Sequence, residues 1–234
     1  MGLKYTENEI KDAWKSYFNK TILNLYDQEF VKHTGTCKGS GTFYTELVAK
    51  LIMDNGIVKK LSAIEPITRK VSYRIKNRNN EDRETNRHEE RMAKKMCSDE
   101  LVLGKLGKAM DYQIPLKNTQ KDTAGKIDLF AYDEATKTIY LIELKGDKSK
   151  ETALRAVLEI ATYYQLLDKG KFLEDYKEFF KEHNIKTTIT NIKKAVLFCE
   201  GTSPAKEVKE KRKHLSNLMK ELDVEYEIFN PSKK

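Results

Sequence analysis

Along the first 80 residues, apolar side chains recur at helical spacing. Ile10, Trp14, Phe18, Ile22 and Leu25 (or Tyr26) fall three or four positions apart, which predicts one helix over 7–30. The polar, glycine-rich stretch from Thr34 to Thr42 lacks the Gly-Lys-Ser/Thr ending of a phosphate loop. It is expected to be a turn in which Ser40 or Thr42 caps a helix over 43–54. Asn77-Arg78-Asn79-Asn80-Glu81-Asp82 is a polar break. The boundary between an N-terminal extension (1–80), mainly helical, and a core (81–234) is placed there.

Beyond that break the hydrophobic period switches repeatedly between about 3.6 and 2 residues. Helices are predicted over 83–97, 151–168, about 172–183 and 205–222. Strands are predicted over 109–115, 126–132, 138–145, 195–199 and 224–229, with Asp133 to Lys137 as a hairpin turn. This order implies an α/β fold: a mixed central sheet flanked by helices, with the helical extension attached.

Composition narrows the class. The 234 residues are 39% hydrophobic and 34% charged, enough apolar material for a core, which excludes wholesale disorder. No apolar run nears the ~18 residues of a membrane span, and the first residues carry no apolar signal-peptide segment. Cys37, Cys97 and Cys199 lie far apart with no C-x-x-C, so neither a disulfide framework nor a structural zinc is indicated. A reduced, cytoplasmic protein with no membrane partner is expected. The net charge of +8 suits a polyanionic partner, provided the basic residues cluster beside a chemical site.

One constellation offers chemistry. Glu143 and Lys145 alternate on an otherwise apolar strand, so both side chains leave the same face. If the hairpin turns between Ala135 and Thr136, Asp128 faces Glu143 with side chains about 5 Å apart. A one-residue slip would turn Asp128 to the other face. Two close carboxylates repel unless a cation separates them, and an all-oxygen donor set suits Mg²⁺ or Mn²⁺. A neighbouring lysine can orient water or stabilise charge developing on phosphorus. The plainer alternative is a strand-end salt bridge between Glu143 and Lys145, with Asp128 solvated.

Asp128 followed by Ile142-Glu143-Leu144-Lys145, within this order of elements, resembles the PD-(D/E)xK nuclease superfamily over about residues 83–229. Ile127 stands where the motif's name has proline. The resemblance implies a restriction-endonuclease-like core. By it, Asp128 and Glu143 would ligate Mg²⁺ (or Mn²⁺), Lys145 would be the motif's lysine, and the reaction would be phosphodiester hydrolysis in nucleic acid, DNA first. Members often carry a glutamate on the helix preceding the sheet. Glu89 stacks with Met92, Ala93 and Met96 and is preferred to Glu90, which falls on the flank. The recombination-exonuclease branch has a glutamine on the helix after the motif, and Gln165 shares the stripe of Leu154, Val157, Leu158 and Ala161.

Nucleic-acid contact is expected from the basic stretch 69–78, with Lys70, Arg74, Lys76 and Arg78 on phosphates and Tyr73 stacking on a base. A second basic run, Lys206 to Lys213, is a further candidate. Lys145→Ala is expected to abolish activity with fold and metal binding nearly intact. The alternative function is a catalytically silent module on the same scaffold that binds nucleic acid or a protein partner. A homodimer is compatible with the sequence and not specified by it.

Overall fold

The computed structural model describes residues 4–17, 22–75, 88–117 and 125–230. Five strands form one sheet in chain order: β1 (Lys108–Pro115), β2 (Lys126–Asp133), β3 (Thr138–Lys145), β4 (Ile192–Cys199) and β5 (Val224–Phe229). The first three pair antiparallel and the last three parallel, so the sheet is mixed. β3 lies at its centre and is buried along its whole length, as its branched, apolar sequence requires.

The helices are α1 (Glu7–Tyr17), α2 (Glu29–Lys32), α3 (Tyr44–Asp54), α4 (Ile57–Ser62), α5 (His88–Ser98), α6 (Ala153–Leu166), α7 (Lys169–Asp175), α8 (Lys177–Glu182), α9 (Ser203–Lys209) and α10 (Lys213–Glu221). α5 covers one face of the sheet, over Leu129, Ile142, Leu144 and Leu197. α6 crosses the other face over β3 and β4, and the N-terminal helices pack outside it.

The predicted helix over 7–30 is instead α1, a 3-10 turn (Ile22–Asp27) and α2. Asn24 leaves helical geometry and Gln28 is extended, a break after which both Phe30 and Val31 are buried. α3 has no side-chain cap, because its N-cap position falls on Phe43, one residue past Thr42, whose hydroxyl donates to Glu7 Oε1 (2.6 Å). The stretch 172–183 is divided at Tyr176 between α7 and α8. The single helix over 205–222 is likewise two, broken where Lys211 takes a positive φ.

The boundary at residue 80 lies outside the described residues. On either side of it, Trp14, Val31, Val48 and Tyr73 share a continuous core with Phe130, Leu158 and Phe172. Thr152 ties the two parts directly: its hydroxyl donates to the Val31 carbonyl (2.8 Å) and accepts the Arg155 N–H that opens α6 (3.1 Å).

Candidate active site

The β2–β3 register pairs Leu129 with Ile142 and Phe130 with Leu141, so the hairpin turns between Ala135 and Thr136. Continued by one residue, it sets Asp128 opposite Glu143, on the face beneath α6. Alternation puts Lys145 on that face too. The three groups stand at the floor of a cavity of about 620 Å³.

Asp128 is gripped from both neighbouring strands. Its Oδ2 accepts the Leu144 N–H (2.9 Å) and its Oδ1 accepts the Gln113 amide (3.2 Å). Glu143 is buried; its Oε1 accepts from Lys145 Nζ (2.8 Å), while its Oε2 is buried with no hydrogen-bond partner among the described residues. Lys145, 3% exposed, also meets Glu151 (2.7 Å) and Glu159 (3.3 Å). Arg155 backs this group, pairing with Glu151 and Glu159. Outward from Glu159 run the Tyr163 hydroxyl (3.2 Å) and then that of Tyr26 (3.3 Å). Gly125 borders the floor, and a Cβ there would stand 2.1 Å from the Tyr163 hydroxyl oxygen, so a larger residue would have to displace the Tyr163 ring.

Glu89 reaches the site from the other side of the sheet. Its Oε1 accepts the Gly146 N–H (3.0 Å) just beyond Lys145, and His88 pairs with Asp147 beside it. Glu90 lines the same cavity, so both helix acids are at the site. Lys117 and Lys126 on the β1–β2 side, with Lys148 and Lys150 on the β3–α6 loop, supply positive charge to the lining.

Burial dominates the electrostatics. It pushes Asp128 up to about 7, against the pull of Lys145 and the Leu144 N–H. Glu143 is raised well above the carboxylate range by burial, then by Asp128 and Glu159. Burial pulls Lys145 down, but attraction by Glu143, Glu159 and Glu151 outweighs it and keeps the ammonium charged. Among the described residues no three His, Cys, Asp or Glu side chains form a ready metal cage. Two opposed carboxylates and one partnerless buried oxygen nevertheless fit a hard divalent cation that keeps water and substrate oxygens in its remaining positions.

The predicted nucleic-acid contacts fare differently. Tyr73 is fully buried against Phe172; its hydroxyl donates to the Ile67 carbonyl (3.0 Å) and accepts the Asp168 N–H (3.2 Å), so it cannot stack on a base. Arg69 is buried on the Pro115 carbonyl (2.7 Å). Arg74 is half-buried over the Phe179 ring (4.8 Å). Lys70 is exposed but does not line the cavity, and Lys76 and Arg78 lie outside the described residues. In the second basic run, Arg212 turns inward onto the Phe43 ring (3.6 Å) and Thr45 (2.9 Å).

Gln165 does not face the site either. The α6 face over the cavity continues from Glu151 through Arg155 and Glu159 to Tyr163, and Gln165 lies two positions on, about 200° around the helix. Those four residues, Gln113 and the lysines Lys117, Lys126, Lys148 and Lys150 are site groups that motif reading passed over. A charged i, i+4 stripe on an otherwise apolar helix was the available signal for the four. Comparison with protein-family models, with curated proteins and with solved structures finds no match for the chain.

Proposed function

We propose that the chain is a divalent-metal-dependent nuclease that hydrolyses phosphodiester bonds of DNA. The observation that carries this reading is the buried, partnerless Glu143 Oε2 opposite Asp128 and beside the Lys145 ammonium, in a cavity lined with lysines. Asp128 and Glu143 would hold Mg²⁺ (or Mn²⁺). Once bound, such an ion acidifies water and neutralises charge on phosphate oxygens.

The chain's own groups do the rest. Lys117 and Lys126 on one side, with Lys148 and Lys150 on the other, hold the backbone phosphates. Lys145, kept cationic by its carboxylates, orients the attacking water and supports the charge that grows on phosphorus. In the hydrolysis, water oxygen bonds to phosphorus, the bridging P–O bond breaks and the leaving oxygen takes up a proton. Glu89 fixes the backbone just after Lys145 through Gly146.

A second reading, a silent module on this scaffold, is favoured by one observation: three carboxylates already engage Lys145. Calorimetric titration of Mn²⁺ into wild type and Asp128→Asn/Glu143→Gln separates the two, run beside incubation of circular and linear DNA with Mg²⁺. Binding and cleavage by wild type, both lost in the double variant, is the expected result. Neither binding nor cleavage by wild type overturns the nuclease and leaves the silent module.

A further inference from the structure

β1 contains an anomaly at the position that meets Asp128. The β1–β2 register pairs Tyr112 with Leu129 and Ile114 with Ile127, so Gln113 lies across from Asp128. In the middle of this strand Gln113 has φ 52°, a left-handed backbone that residues with a Cβ adopt only at a cost. It is not a turn residue, and nine-tenths of its surface is buried. Its amide lines the cavity and donates to Asp128 Oδ1 at 3.2 Å, while the Leu144 N–H holds Oδ2 at 2.9 Å.

β1 also shifts register against β2 between Ala109 and Asp111, but a strained residue within a strand persists only where its surroundings impose it, and such residues collect at functional sites. Here the strain coincides with a contact to one of the two carboxylates on which the site depends. The other grip on that carboxylate comes from a backbone N–H, which no side-chain substitution short of proline removes. Gln113 is therefore the one side chain among the described residues that hydrogen-bonds Asp128.

We infer that Gln113 is a positioning residue: its left-handed backbone aims the amide at Asp128 and clamps that carboxylate against Leu144, fixing the direction of its remaining lone pairs toward a divalent cation. The inference rests on the nuclease reading for the identity of the cation. It adds that this site is built from three strands, with β1 supplying a residue that touches no substrate. Partners that orient a metal ligand typically matter by about 10–100-fold in metal affinity or activity.

The test is the Mn²⁺ affinity of the folded protein, measured by calorimetry well below the melting temperature, for wild type, Gln113→Ala, Gln113→Gly and Gln113→Asn. The alanine variant removes the amide and keeps the strained Cβ. Glycine and asparagine both accept a positive φ, so at least these two are expected to fold, and circular dichroism checks it. Asparagine keeps an amide that is one methylene too short. Mn²⁺ binding weakened about tenfold or more in all three, with kcat falling beyond any change in KM for DNA, is expected. Affinities within about twofold of wild type in folded variants would overturn the clamp while leaving the nuclease intact. A wild type that binds no Mn²⁺ overturns the clamp, and only if it also cleaves no DNA does the nuclease reading fall with it, so the two failures are told apart by the wild-type arm.

Discussion

Lys145→Met tests the electrostatics of the site. The substitution keeps the side chain's length and apolar stem and deletes an ammonium that is 3% exposed and touches Glu143, Glu151 and Glu159 at 2.8, 2.7 and 3.3 Å. Removing one partner of a buried ion pair costs about 3–5 kcal/mol, because the other charge is left buried and uncompensated. Arg155 stays on Glu151 and Glu159, so the deficit falls mainly on Glu143 and belongs near the lower end of that range. At roughly 2–4 °C per kcal/mol for a chain of this size, a deficit of about 3 kcal/mol lowers the melting temperature by roughly 6–12 °C.

The sign with pH follows from the raised carboxyls. Burial sets the folded-state pKa of Glu143 well above its ordinary value and that of Asp128 at about 7. Protonated, both groups tolerate the folded state, and that tolerance is lost as pH rises through their folded pKa values. Without Lys145 to offset the anions, the deficit is largest near pH 8 and shrinks toward pH 5. Urea unfolding in EDTA at both pH values reads it, and adding Glu143→Gln to Lys145→Met is expected to restore part of the loss. A deficit below about 1 kcal/mol at pH 8, or one equal at both pH values, would refute the reasoning. The predicted loss of stability runs against the expectation that truncating Lys145 leaves the fold nearly intact, and the same unfolding measurement decides between them.

Three further outcomes are expected. Glu207 on α9, 3% exposed and accepting the Ala153 N–H that opens α6, is raised from 4.5 to about 7 by burial, against Arg212 and that N–H. Its contribution is therefore lost as pH rises between those values, and Glu207→Gln should remove on the order of 3 kcal/mol of pH dependence between pH 4.5 and 7 in chemical unfolding, with an unchanged slope counting against the burial argument. Tyr73→Ala should cost about 3–5 kcal/mol of stability, since it empties a fully buried site, yet leave the single-stranded DNA affinity of the folded protein unchanged by fluorescence anisotropy. Lys169 is pulled from 10.5 to about 8 by burial and by nearby Lys194, so amine acylation followed by mass spectrometry at pH 8 should label it ahead of the exposed lysines; labelling no faster than Lys70 would contradict that environment.

Much of the sheet was legible because strands declare themselves locally. β3 and β5 begin and end where their branched and aromatic runs do, and the hairpin register placed Asp128 opposite Glu143 because a short turn leaves little freedom. Helix breaks were less legible. Nothing local in 7–30 or 205–222 opposes one continuous helix strongly enough; Gln28 and Lys211 leave helical geometry in a tertiary setting. Tyr73 shows the same limit from the functional side. A tyrosine within a basic run looks like a stacking platform, but whether its ring meets a base or Phe172 depends on what packs over it.

The α/β order, the central apolar strand and the shared face of Glu143 and Lys145 follow from alternation and spacing along one or two neighbouring elements, and the hairpin register then brings Asp128 to them. Which groups complete that trio depends on packing between elements far apart in the chain. Gln113 arrives through a strained backbone on a third strand, Glu151, Arg155, Glu159 and Tyr163 through the docking angle of α6, and Glu89 through a helix on the opposite face. The physical reason is that hydrogen bonds and ion pairs depend on position to within a fraction of an ångström. Elements distant in the chain acquire that precision from the core that packs them together.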